Sequence, residues 1–370
     1  MNSKNASIHQ TGFSLIELMV GLTIGMLVSV VILQVLSVFE AQKRTTTGTA
    51  DAQTNGSIAL FNIGRELQQA GYPLMPVTNS ALECTTVTVG GIAGTIARLS
   101  PVTIADGVAT TGVSASDTIT LRYGDTAMGG VPTQTTGIPT ASAGTAAPAR
   151  DVAVLNNFGC NTNDAILITN GTSCAISTMV ALPAGTTSIT FADATDANTL
   201  VTAATAAPTS SGTNLACLGA WHEVTYRANS GNLERQDGTA AAFVPGVTGV
   251  VNIQAQYGIS AAANSNQVVQ WVDATGTWAA PTLADRNRIK AIRIAVVARN
   301  AKMEVSNVTS ACSSTTAAAP TGLCAWPGTV ASPAPTIDLS QSDSNWQRYR
   351  YRVFENIIPL RNMIWSKGTL

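Results

Sequence analysis

Between Gly12 and Phe39 the chain reads GFSLIELMVGLTIGMLVSVVILQVLSVF, apolar throughout, free of proline, with a single charged side chain, Glu17. About 20 apolar residues at roughly 1.5 Å rise each are enough for a helix to cross the hydrocarbon core of a bilayer. A carboxylate near the start of such a helix is expensive in lipid, so it marks a function and calls for a positive partner at the same depth. A free α-amino group at the start of the same kind of helix in a neighbouring subunit fits best. That pairing requires the chain to be cut just before the apolar run.

Two plainer readings fit less well. A conventional secretory signal has a basic start, an apolar core of about 7 to 15 residues and a small-residue cut site beyond it. Here the run is longer, no such site follows Phe39, and Lys4 is the only fixed positive side chain ahead of it. An ordinary single-span anchor has no need of Glu17. Lys43 and Arg44 at the far end of the span would by themselves favour the opposite orientation, so the processing junction is the better guide to topology.

That junction resembles a known signal. A short polar leader, MNSKNASIHQTG, ends in Gly12, Phe13 follows, and Glu17 is fifth counting from Phe13. This is similar to the class III signal of type IV pilins and type II secretion pseudopilins. The resemblance implies cleavage by a prepilin peptidase after Gly12, N-methylation of the new Phe13 amine, and neutralisation of that amine by Glu17 during assembly. It implies an inner-membrane, single-pass protein with a periplasmic head.

The rest of the chain divides by composition into a leader over 1–12, a membrane and assembly helix over 13–39, an amphipathic helix or stalk over 40–72, and a β-rich head over 73–370. Ile58, Leu60, Phe61, Ile63, Leu67 and Ala70 recur at three- and four-residue steps, which predicts that one helix continues from about Phe13 to Ala70. Thr45 to Gly48 weaken it, and a polar linker over 40–57 is the plainer alternative. Gly71 and Pro73 end it. From Leu74 to Gly219 the chain is rich in Thr, Ala, Gly and Ser, with strand-like islands at Thr118–Tyr123, Val152–Leu155, Ala165–Thr169 and Thr187–Phe191. Gly129–Ala149 reads as a surface loop.

Alternation returns at Trp221. WHEVTYRANSGNLERQDG predicts a hairpin turning at Asn229–Asn232, and strands follow at Val250–Ile259, Gln267–Val272, around Ile292–Val297, and from Arg348. The expected fold is α+β: a long N-terminal helix, half membrane-spanning and half amphipathic, packed on a mainly antiparallel sheet with long loops. The phrase RELQQAGYP, the AIRIAVVAR strand and the closing YRVFENIIPLRN resemble PilW-type minor pilins over roughly the first 75 and last 150 residues. That resemblance implies a structural subunit that primes pilus assembly and sits in a tip complex, with partners among other minor pilins, the major pilin and a tip adhesin. A type II secretion minor pseudopilin and a tip adhesin or DNA-binding subunit are the rival readings.

Chemistry is sparse. Net charge is −1 and charged residues make up 11%, so no global steering toward nucleic acid follows. Six cysteines, Cys84, Cys160, Cys174, Cys217, Cys312 and Cys324, lie outside the apolar run and read as three disulfides. Fifteen pairings are open to six cysteines; short-loop economy suggests Cys160 with Cys174, Cys312 with Cys324, and Cys84 with Cys217. Their spacing does not suit a metal, and no cofactor is expected. Outside the leader the one histidine is His222, too little for catalysis, and no phosphate-binding or hydrolase motif occurs, so the chain reads as non-enzymatic. Asp193 and Asp196 suit a turn better than a calcium loop. Arg348, Arg350 and Arg352 alternate with Tyr349, Tyr351 and Val353. They form a possible interaction stripe, with cross-strand pairing or docking on an acidic subunit favoured over phosphate binding.

Overall fold

The computed structural model describes residues 12, 14–74, 86–89, 92–94, 99–108, 115–128, 130–137, 139–142, 149–169, 173–183, 187–192, 214–238 and 241–365. They fall into two compact units, one ending at Asp51 and one beginning at Ala52. Helix α1 spans Leu15–Leu67 and contributes to both.

In the first unit α1 has no core of its own. Its large apolar side chains are exposed from Leu15 (78%) to Phe39 (64%). Its few hydroxyls are satisfied within the helix: Thr23 donates to the Val20 carbonyl at 2.9 Å, Ser29 to Gly25 at 2.8 Å and Ser37 to Gln34 at 2.8 Å. Internal satisfaction of polar groups is what a hydrocarbon environment demands.

The second unit is an α+β head. Its first strands are β1 (Thr86–Val89), β2 (Ile92–Gly94), β3 (Val102–Ala105), β4 (Thr118–Gly124), β5 (Pro132–Gln134) and β6 (Thr140–Ala141). Then come β7 (Arg150–Ala153), β8 (Ala165–Thr169), β9 (Ser173–Ala181), β10 (Ser188–Phe191), β11 (Asn214–Gly219) and β12 (Trp221–Asn229). The last are β13 (Asn232–Asp237), β14 (Val244–Thr248), β15 (Val250–Ser260), β16 (Val268–Val272), β17 (Ile289–Met303) and β18 (Tyr349–Pro359). The described strands form three sheets: nine strands along β5-β11-β8-β9-β10-β7-β6 with β1 and β2 attached, five as β14-β13-β12-β4-β3, and four as β16-β15-β17-β18. Pairing is antiparallel except β1 with β9.

The β12–β13 hairpin turns where Ser230 (φ 49°) and Gly231 (φ 76°) adopt the left-handed backbone that a two-residue turn needs. The main core lies between the five- and four-stranded sheets and is closed by Ala59, Ile63, Leu67 and Ala70. Ile292, Ile294 and Val296 of β17 enter this core. Ala295 and Val297 alternate to the other face, under Leu323, Trp326, Ile337 and Leu339 of the long 304–348 segment. The nine-stranded sheet has separate apolar layers on its two faces.

That sheet overturns the short-loop disulfide. Cys160 pairs with Cys217, not with Cys174, and Cys312 pairs with Cys324. Cys160 and Cys217 share one face with Ile166, Ile168 and Leu215, whereas Cys174 shares the opposite face with Leu167, Ala216 and Leu218. A strand's alternation puts Cys174 on the wrong side, however short the loop. Cys174 is disulfide-bonded; Cys84, expected to pair with Cys217, lies outside the described residues. The 129–149 surface loop also needs correction, because β5 and β6 lie within it. Thr133 of β5 is buried and opposite Leu215 of β11, an edge pairing that a run without apolar periodicity does not announce.

Candidate functional site

Gly12 is exposed and Ser14 precedes the first turn of α1, while Phe13 lies outside the described residues. The Ser14 N–H donates to Glu17 Oε2 at 3.0 Å, and Leu18 N–H donates to the Ser14 carbonyl at 3.2 Å. Ser14 and Glu17 thus stand at the spacing of a capping box, in which an acid at the third helical position turns back to the cap residue's amide. The Ser-x-x-Glu pattern was the signal for this in the sequence. The acid therefore sits at the positive end of the helix, with its carboxylate directed at the amide one residue beyond the Gly12–Phe13 junction.

The three arginines differ from one another. Arg348 precedes β18 in a short 3-10 turn, and its Nε donates to the Glu304 carbonyl at 2.8 Å. Arg350 pairs with Glu304, Nε to Oε1 3.0 Å, and Arg352 is exposed. One of the three is thus tied to backbone and one to an acid.

His222 of β12 stacks on Tyr123 of β4 with ring centroids 4.9 Å apart, and its Nδ1 lies 3.2 Å from Asp237 Oδ2. Next to it Arg235 of β13 reaches Asp237 Oδ2 and, from the sheet to the helix, Glu66 Oε1, both at 3.2 Å. Burial, with the Glu66 charge added, pushes the Tyr226 hydroxyl well above its ordinary range. This constellation joins α1 to the five-stranded sheet and leaves His222 in a structural setting. A cleft of about 370 Å³ beside it is lined by Gln68, Gln69, Tyr72, Tyr123, Asp125 and Asn362. Much of its polarity is already engaged: Tyr72 Oη donates to the Thr126 carbonyl, and Asn362 Nδ2 to the Gln69 and Ala70 carbonyls.

Among the described residues no cluster of three or more His, Cys, Asp or Glu side chains could hold a metal ion. Asp193 and Asp196 lie outside the described residues. Sequence reasoning also passed over Asp117, at the foot of β4. Its carboxylate accepts from the Ala255 N–H (2.7 Å) and the Gly107 N–H (3.1 Å), and burial pushes it up to about 7.

Comparison with known proteins finds two matched regions. Residues 8–33 match the prokaryotic N-terminal methylation motif, which includes Gly12, Phe13 and Glu17. Residues 222–362 match the type IV pilus-assembly protein W family, which here covers the β12–β13 hairpin, the four-stranded sheet and the segment that crosses its outer face. The nine-stranded sheet lies outside both. No curated protein matches the chain. Among solved structures a type IV-like pilin from Thermus thermophilus is similar at 13% identity, over 55% of this chain and 86% of that one, with a TM-score of 0.21.

Proposed function

We infer that this chain is a minor type IV pilin of the PilW kind, a structural subunit held in the inner membrane by α1 until it is assembled. The observation that carries this is the presence on one chain of a methylation motif at the head of an exposed apolar helix and a PilW region in the head. A type II secretion pseudopilin would share the first feature; the second favours the pilus.

The mechanism follows from the N-terminal turn. A prepilin peptidase cuts between Gly12 and Phe13, and the new amine on Phe13 is methylated. Glu17, whose carboxylate already turns back to the Ser14 amide, supplies the negative charge at that depth. In lipid it pairs with the amine of a neighbouring subunit, which makes docking of successive helices favourable and charge-neutral. The disulfides Cys160–Cys217 and Cys312–Cys324 support a head that works in an oxidising compartment, which in this reading is the periplasm. There it packs with other minor pilins, primes the fibre and stays near its tip, beside the major pilin and a tip adhesin.

The test is intact-mass and N-terminal analysis of the protein from its native membrane. A chain beginning at methylated Phe13, lighter by six hydrogens for three disulfides, is expected. A chain that retains Met1 would leave a plain anchor and overturn the reading.

A further inference from the structure

Strand β18 is an edge strand: β17 pairs with one side of it, and no described strand pairs with the other. Leu360 N–H donates to the Lys290 carbonyl at 2.9 Å, which fixes the phase of the ladder. Bonded and unbonded pairs alternate between antiparallel strands. With Ile292 opposite Ile358 and Ala298 opposite Arg352, the even-numbered residues therefore bond to β17, while Tyr351, Val353, Glu355 and Ile357 turn their N–H and C=O groups outward. Two contacts agree with this phase. Thr309 Oγ1 donates to the Tyr349 carbonyl at 2.6 Å, and Ile357 N–H donates to Asn356 Oδ1 at 2.9 Å. The 304–348 segment thus covers the outer side of the strand as far as Tyr349. Beyond it, among the described residues, the N–H groups of Tyr351, Val353 and Glu355 and the outward carbonyls from Tyr351 to Ile357 have no partner.

Unpaired backbone groups along an exposed strand are a template for one more strand. The side chains decide which kind. Glu304 and Glu355 are already taken, by Arg350 at 3.0 Å and by Arg293 at 3.1 Å. Arg352 is exposed and has no ion-pair partner among the described residues. The uncompensated charge along the strand is therefore positive and lies on the face of Arg352, while the opposite face offers Val353 and the exposed Ile357. We propose that the Tyr351–Ile357 edge takes up an extended segment of a neighbouring subunit, with acidic side chains on the face of Arg352 and apolar ones on the face of Val353 and Ile357. That the neighbour is a pilus subunit rests on the reading above; the open edge does not. Main-chain pairing supplies the affinity in such a joint, and the alternating side chains supply the choice of partner.

The test titrates the purified full chain in detergent with an alternating valine–glutamate peptide long enough to span Tyr351–Ile357, and follows amide hydrogen exchange. Exchange at Tyr351, Val353 and Glu355 should slow as the peptide binds. The same peptide with every amide N-methylated should give no protection. Arg352→Glu should reverse the preference, so that a valine–lysine peptide binds better than the valine–glutamate one. In Glu355→Pro the ring blocks the edge while the ladder to β17 stays, because that N–H points away from it, and binding should weaken roughly tenfold or more. Glu355→Gln, which keeps the N–H, should bind like the wild type. Equal protection by the methylated peptide, or none by either, overturns the pairing. Protection of the same amides that grows with protein concentration in the absence of peptide overturns the acidic partner in favour of a second copy of this chain. An uncut Gly12–Phe13 bond, which would sink the pilin reading, leaves the titration readable.

Discussion

The ring of Phe354 on β18 fills the space that a side chain at Gly56 of α1 would occupy, so helix and sheet meet there as backbone against ring. Gly in a helix interior is about 1 kcal/mol worse than Ala, and this close approach is what it secures. Gly56→Leu should destabilise the head by about 1–3 kcal/mol through overpacking. In a Phe354→Ala background most of that loss should vanish. Equal losses in both backgrounds, measured by denaturant titration, would show that the contact is not the cause.

Arg235 and Glu66 fasten the same helix from the other sheet. The Glu66 side chain is only 12% exposed, and removing its cation leaves a nearly buried carboxylate uncompensated. With the Arg235 side chain 36% exposed, solvent screening moderates the effect, and Arg235→Ala should cost about 1–3 kcal/mol. Adding Glu66→Gln should recover part of the loss. No recovery in the double variant would mean that the guanidinium acts by packing alone.

The distinction between what was legible in the sequence and what was not follows from this architecture. Ile292, Ile294 and Val296 alternate cleanly because one face of β17 meets the main core, and the hairpin at Ser230–Gly231 carries its own turn chemistry. Glu17 was legible because a lone acid in an apolar run has few explanations. The cysteine pairing was not, since it depends on which face of the nine-stranded sheet Cys174 shares, and strand order is a long-range property. β9 and β11 were missed for a related reason. SCAISTMVA and NLACLG draw their burial from neighbouring strands, and neither alternates in polarity. Arg348, Arg350 and Arg352 alternate in sequence, yet Glu304 engages two of them from 44 and 46 residues away.

Asp117 should make the head lose stability as pH rises. Its carboxyl is held near 7 in the folded chain, mainly by burial, against 3.8 when unfolded. Between these values the folded state binds the extra proton, so the stabilisation is complete below about pH 4 and is lost as pH climbs through about 7. The limiting slope is about 1.4 kcal/mol per pH unit. Asp117→Asn should be less stable overall, because the amide NH2 faces one of the two donor N–H groups, but its profile across this window should be flatter. Parallel profiles for the two proteins would remove Asp117 as the titrating group.

The two described disulfides should differ in worth. Cys160–Cys217 closes a separation of 57 residues and Cys312–Cys324 one of 12. Chain-entropy arithmetic gives about 4 kcal/mol for the first and about 3 for the second. Cys160→Ser with Cys217→Ser should therefore lower the denaturant midpoint more than the Cys312/Cys324 double variant does. The opposite order would mean that the 304–348 segment depends on its crosslink to cover Ala295 and Val297.

Glu17→Ala separates insertion from assembly. The remainder of the apolar run is untouched, and removing a charge from a lipid-facing helix makes insertion easier. The helix loses the bond from the Ser14 N–H, worth about 1 kcal/mol at a helix start, which a span of this length tolerates. What disappears is the only negative charge in the run that could meet a neighbour's Phe13 amine. The variant should therefore fractionate with the membrane and be cut after Gly12 like the wild type, while its recovery in sheared fibres falls at least tenfold. Glu17→Gln, which keeps a hydrogen-bond acceptor for Ser14, should fail in the same way if charge is what matters. Recovery of the Gln variant at wild-type level would assign Glu17 to capping its own helix and leave subunit docking to the apolar face.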